Sequence, residues 1–206
     1  MKVRMKSAER RDAIVHSAIH LFAEKGFRGA TTRELAAAAG VTEPVLYQHF
    51  RTKSDLYSAI IEAKAGEVSG HAAELRQLAQ SGDDRAFFGR VGEVILRRYE
   101  TDPELSRLLF FSSLERHELS DLFFERLYAG FYKLVAGYIR RRIREGDFCK
   151  INAEIAARGL IGMISYHGLV ALLFPRRFKV SNRRRIVDEM VSVFLGGISG
   201  RPNSHE

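Results

Sequence analysis

TTRELAAAAGVTEPVLYQHF, residues 31–50, is the stretch whose reading decides the fold. Thr31 has the chemistry of an N-cap, and Glu34, three positions on, completes a capping box ahead of Leu35 and Ala36. The short helix begun there runs into Ala39-Gly40-Val41, where Gly40 can take the left-handed conformation that turns the chain and Val41 packs inward. Thr42 then caps another helix, with Glu43 and Pro44 in a first turn where a missing amide hydrogen costs little. Two short helices joined by a glycine turn form a helix-turn-helix. Leu46 and Phe50, one turn apart, anchor the second of them and leave Glu43, Pro44, Val45, Tyr47, Gln48 and His49 facing elsewhere.

On the N-terminal side, Ser7 caps a helix whose apolar residues Ile14, Ala18, Leu21 and Phe22 share one face, and Gly26 ends it. Cations at 2, 4, 6, 10 and 11 make a basic lead-in. On the C-terminal side, Thr52 and Asp55 open a fourth helix in which Lys53 is placed to meet a phosphate. From Lys53 onward six helices are expected, this fourth one at 53–79 and the others at 84–100, 103–114, 118–145, 152–174 and 181–197, separated by Gly82, Pro103, Gly146 and Pro175. With four prolines and no sustained alternating apolar pattern, the whole chain reads as all-α.

Composition bounds what such a chain does. Its 206 residues are 46% hydrophobic, enough for one sizeable core or two small ones, and its formal charge of +8 favours a polyanion or an anionic membrane surface without choosing between them. The single cysteine, Cys149, excludes an internal disulfide, and the first residues lack the apolar stretch of a signal peptide, so a cytoplasmic protein is expected. The longest uncharged segment, 159–175, is at the short limit for a bilayer and reads as a buried helix, with no membrane partner. No enzyme, cofactor or metal is expected. Glycine-rich phosphate loops, nucleophile elbows, paired-carboxylate motifs and zinc spacings are missing from the sequence, and His16 and His20, though four apart, lack a third ligand.

Taken together, LFAEKGF at 21–27, TTRELA at 31–36, AGV at 39–41 and LYQHF at 46–50 with Lys53 resemble, in order and spacing, the N-terminal signature of the TetR family of transcriptional regulators. The resemblance spans about residues 10 to 60. It implies a three-helix DNA-binding domain over residues 1–52 and a helical bundle for effector binding and dimerisation over 53–206. It also implies that Thr31, Thr32, Tyr47, His49 and Lys53 touch phosphates, and that Arg33, Glu43, Pro44, Val45 and Gln48 face bases in the major groove. Read from the residues alone, Tyr47 fits a half-buried core position as well, and Glu43 fits a helix-dipole role equally.

A single helix-turn-helix contacts few base pairs, so a homodimer on a palindromic double-stranded operator is expected. The alternative is a basic helical protein that binds RNA or a membrane surface. For the dimer interface the expected residues are Ile161, Ile164, Leu169, Leu172, Met190 and Phe194, on two helices with more apolar surface than one face requires. For the pocket of a small apolar or aromatic effector they are Phe87, Phe88, Phe110, Phe111, Phe124, Tyr128 and Phe131. The resemblance favours a repressor released by that effector through a shift in the populations of its conformations, with the fourth helix as lever.

Overall fold

The computed structural model describes residues 7–114, 121–122, 124–178 and 182–199, without the side chains of 66–69, 111, 112 and 127. Among them it is helical, and the α-helices with described bounds are α1 (Ser7–Gly29), α2 (Thr32–Ala38), α3 (Glu43–His49), α4 (Lys53–Ser81), α5 (Asp84–Thr101), α6 (Pro103–Leu114), α7 (Gly130–Glu145), α8 (Ala153–Leu173) and α9 (Arg183–Ile198). The first residues of the helix expected at 118–145 lie outside the described chain, as do the cations at 2, 4 and 6. From Glu125 to Ala129 that segment is a π-helical turn, not the α-helix the apolar spacing implied.

Local chemistry accounts for most helix ends. Gly26, at φ 72°, breaks α1 where the sequence places its end, and a short turn continues to Gly29. The capping box forms: the amide of Glu34 donates to the Thr31 hydroxyl at 3.2 Å, and the amide of Thr31 donates to Glu34 Oε2 at 3.0 Å. Gly40 takes φ +65°. Thr52 and Asp55 cap α4 reciprocally, each amide donating to the other's side chain at 3.0 Å. Thr42 departs from expectation. It sits at the N-cap of α3 in an extended conformation, but its hydroxyl makes no capping bond. Pro44 lies two positions on, and its ring nitrogen carries no hydrogen, so one of the two amides that a cap serves is missing.

The chain divides into two compact units. The first comprises residues 1–68 and 102–128. Its core joins Ile14, Ala18 and Phe22 of α1, Leu35 of α2, Leu46 of α3, Leu56, Ile60 and Ile61 of α4, and Leu105 and Leu108 of α6. Phe22, Phe27 and Tyr57 pack ring to ring, with centroids 5.2–5.9 Å apart. This unit is larger than the expected 1–52 segment, because the first half of α4 and, further downstream, α6 complete its core.

The second unit comprises residues 69–101 and 129–206. Here α5 is enclosed: Phe87 and Phe88 are both fully buried, although adjacent side chains point about 100° apart on a helix. Phe87 stacks on Tyr138 at 3.9 Å, and Phe88 meets Tyr138, Phe148 and Phe194. The Tyr138 hydroxyl donates to Asp84 at 2.6 Å, and the Arg142 guanidinium holds the same carboxylate. Two glycines permit close approach. A Cβ on Gly92 would stand 2.6 Å from Val187 of α9, and one on Gly168 would stand 2.4 Å from the ring of Tyr99.

Helix α8 is long and apolar enough to cross a membrane by length and composition, but Ala157, Leu160, Ile161, Ile164 and Gly168 form a stripe packed in this core. Its opposite stripe, Ile155, Gly159, Gly162, Met163, Tyr166 and Leu173, is exposed, with Tyr166 at 68%. On α9, Val193, Gly196 and Gly197 are exposed in the same way.

Candidate nucleic-acid interface

The exposed residues of α2 and α3 are held from behind. Leu35 and Ala36 bury one side of α2, Leu46 and Phe50 bury one side of α3 and the residue after it, and Pro44, Tyr47 and Gln48 are left at the surface. Tyr47 is 46% exposed, so part of its ring packs on the bundle while the rest faces solvent. Val45 and His49 are half-buried, and Arg33 is exposed on α2. Arg28 and Arg51 are exposed on the same unit, and the Arg11 guanidinium lies 4.8 Å from the centre of the Phe50 ring.

Helix α2 is tied to α1 by charge. Lys25 Nζ donates to Glu34 Oε1 at 2.6 Å, while the amide and hydroxyl of Thr31 donate to Glu34 Oε2. The bond from Lys25 foremost, then those from Thr31, hold the Glu34 carboxyl down to about 2.

Three residues expected at the phosphates or bases have partners inside the protein. Lys53 Nζ donates to the carbonyl oxygens of Phe27 at 2.6 Å and Ala30 at 2.9 Å, and lies 4.4 Å from the centre of the Phe27 ring. It therefore closes the loop that follows α1, a long-range role that nothing in the local sequence signals. The Thr32 hydroxyl donates to Glu43 Oε1 at 3.1 Å, joining the first turns of α2 and α3. His20, weighed above only as a metal ligand, has Nδ1 at 2.8 Å from Glu104 of α6. That bond, and then the charge of Glu104, raises the His20 pKa above 6.5.

Elsewhere the expected sites divide. Phe110, Phe124 and Tyr128 fall in the first unit, with Phe124 49% exposed, whereas Phe87, Phe88 and Phe131 fall in the second; the Phe111 side chain lies outside the described residues. The seven are thus not gathered within one unit. The interface expectation needs correcting at three positions: Ile161, Ile164 and Phe194 are 3%, 0% and 8% exposed, because they fill the second unit's own core. Leu169, Leu172 and Met190 are half-buried.

Residues 14–60 match the family of bacterial regulatory proteins, tetR family, and residues 93–197, just over half of the chain, match the AefR-like transcriptional repressor C-terminal domain. The chain belongs to the TetR family. As a TetR-family protein it is a DNA-binding transcriptional regulator and not an enzyme. Among its relatives, the transcriptional activator FasR of Mycolicibacterium smegmatis is 34% identical over 52% of this chain and 48% of FasR, so the chain spans about half of that relative. The transcriptional repressor KstR2 of Rhodococcus jostii is 28% identical over 73% of this chain and 74% of KstR2. Among solved structures, a transcriptional regulator of Saccharomonospora viridis in complex with choline aligns with a TM-score of 0.73 at 20% identity, covering 95% of this chain and 100% of the other. AibR in complex with isovaleryl coenzyme A and operator DNA aligns with a TM-score of 0.67 at 20% identity, covering 90% and 97%. At such identities the likeness shows the fold.

Proposed function

We propose that this TetR-family regulator is a cytoplasmic repressor that binds a palindromic operator as a homodimer and is released by a small apolar or aromatic effector. The observation that carries this reading is the surface of α2 and α3: Arg33, Pro44, Tyr47 and Gln48 stand exposed on helices fixed from behind by Leu35, Leu46 and Phe50. Arg33 suits guanine O6 and N7, Gln48 suits adenine, and Pro44 and Val45 suit thymine methyl groups. Thr31, Tyr47 and His49 serve phosphates, which position the protein and carry little sequence information. Residues 1–52 supply the DNA contacts, and 53–206 the effector site and dimer contacts.

The two copies meet through the exposed stripe of α8 and the Val193 side of α9. A long apolar face of this kind requires cover, and a two-fold dimer supplies it while spacing two reading heads along the duplex. The effector acts by preferring one arrangement of the heads, so it and the operator weaken each other's binding by the same factor. Two elements link it to the DNA. Helix α4 passes from the first unit into the second at residues 68–69, and α6 contributes Leu105 and Leu108 to the core that carries the helix-turn-helix.

Selection of bound sequences from a random duplex pool tests the reading. A palindromic consensus is expected; no enrichment by protein that has been unfolded and refolded to strip ligand refutes it.

A further inference from the structure

Helices α2 and α3 both carry residues that face outward, Arg33 on the first and Pro44, Val45 and Gln48 on the second, so the angle between the helices decides whether both reach bases at once. Helix α2 is held firmly by its capping box and by the Lys25–Glu34 ion pair to α1. The N-terminal end of α3 has fewer restraints. It is seven residues long, its only buried residue is Leu46, and Thr42 gives it no side-chain cap. The bond from the Thr32 hydroxyl to Glu43 ties that end to α2, with both side chains half-buried. Side-chain bonds thus fasten α2 on two sides, Glu34 to Lys25 of α1 and Thr32 to Glu43, the first residue of α3.

A hydroxyl has one hydrogen. While Thr32 gives it to Glu43, it cannot give it to a phosphate, and the bond to Oε1 turns the Glu43 carboxylate toward α2, leaving Oε2 as its other acceptor. From this geometry we infer that Thr32 and Glu43 are a positioning pair that sets the presentation of α3, and that Glu43 is not a reader of cytosine. The pair determines specificity by controlling how Arg33 and the α3 residues engage the groove together. The inference rests on the DNA-binding reading above and assigns these two residues differently from the family resemblance.

The test compares the wild type with Thr32→Ser, Thr32→Val, Glu43→Gln, Glu43→Ala and the Thr32→Val/Glu43→Ala double variant. Each is used to select from a random duplex pool, and its affinity is measured for the duplex that the wild type selects. Glutamine keeps an acceptor oxygen and serine keeps the donor, so both variants are expected to return the wild-type consensus. Thr32→Val and Glu43→Ala should each weaken binding roughly tenfold, the value of one hydrogen bond to a charged group, and flatten preference across the half-site. The double variant should be no worse than the weaker single variant. The inference is overturned if Glu43→Gln changes the preferred base at one position while Thr32→Val leaves the consensus intact, or if the two losses multiply.

Thermal unfolding of the same set without DNA separates this inference from the reading on which it rests. If the wild type enriches no duplex, the DNA-binding reading fails on its own. The pair then stands if the losses in melting temperature are non-additive, and falls if they add.

Discussion

Replacing Lys53 with methionine removes the ammonium and keeps most of the stem. The lost contacts are two hydrogen bonds, at 2.6 and 2.9 Å, to the carbonyls of Phe27 and Ala30, and a cation–π contact at 4.4 Å on Phe27. A bond from a charged donor contributes about 1.5–3 kcal/mol when well buried, and roughly 1 kcal/mol at a half-buried residue such as this one. The cation–π contact adds about 0.5–1 kcal/mol. The total is about 2.5–3 kcal/mol, which for a chain of this size lowers the melting temperature by roughly 5–12 °C. Circular dichroism melts without DNA measure it. A phosphate contact alone predicts an unchanged melt, a uniform loss of affinity for all duplexes and a salt slope smaller by about 1. A melting temperature within about 1 °C of wild type would therefore refute the structural role given to Lys53.

Gly168→Ala drives a Cβ to 2.4 Å from the Tyr99 ring, so a loss of about 1–3 kcal/mol is expected, with partial recovery in the Tyr99→Leu background; an unchanged melt contradicts the packing. The His20–Glu104 bond raises the folded-state pKa of His20 above 6.5, so its stabilisation is complete below that pH and fades as pH rises through the folded value. His20→Asn should accordingly lower the melting temperature more at about pH 5.5 than at about pH 8.5, and equal losses would count against the bond. Tyr166→Glu and Val193→Glu place charges on the exposed stripe and should yield monomers in sedimentation, whereas intact dimers would move the interface elsewhere.

The helix-turn-helix was legible because its signals are local. Thr31 with Glu34, Gly40 and Thr52 with Asp55 each act within a few residues, and each does in the structure what its chemistry indicates. What escaped depends on distant partners. Lys53 reads as a cation at a helix start, and only the folded chain brings Phe27 and Ala30 to it. The contribution of α6 to the first unit's core is likewise invisible in its own apolar spacing. Helix α8 is apolar on nearly every side, so sequence supplies no rule for separating its buried stripe from its exposed one, and Ile161 and Ile164 point into the core although the same pattern suits an outward interface. The adjacent pair Phe87 and Phe88 shows the same limit, since both are buried only because α5 is surrounded.

The most direct test of the account is the affinity of the wild type for its selected duplex and for a scrambled duplex of the same composition, each at about 50 and 200 mM salt. Sequence-specific reading by α2 and α3 predicts a preference of at least about a thousandfold for the selected duplex, with affinity for both falling steeply as salt rises. Equal affinities at both salt concentrations would contradict it, leaving only a basic surface that binds any polyanion.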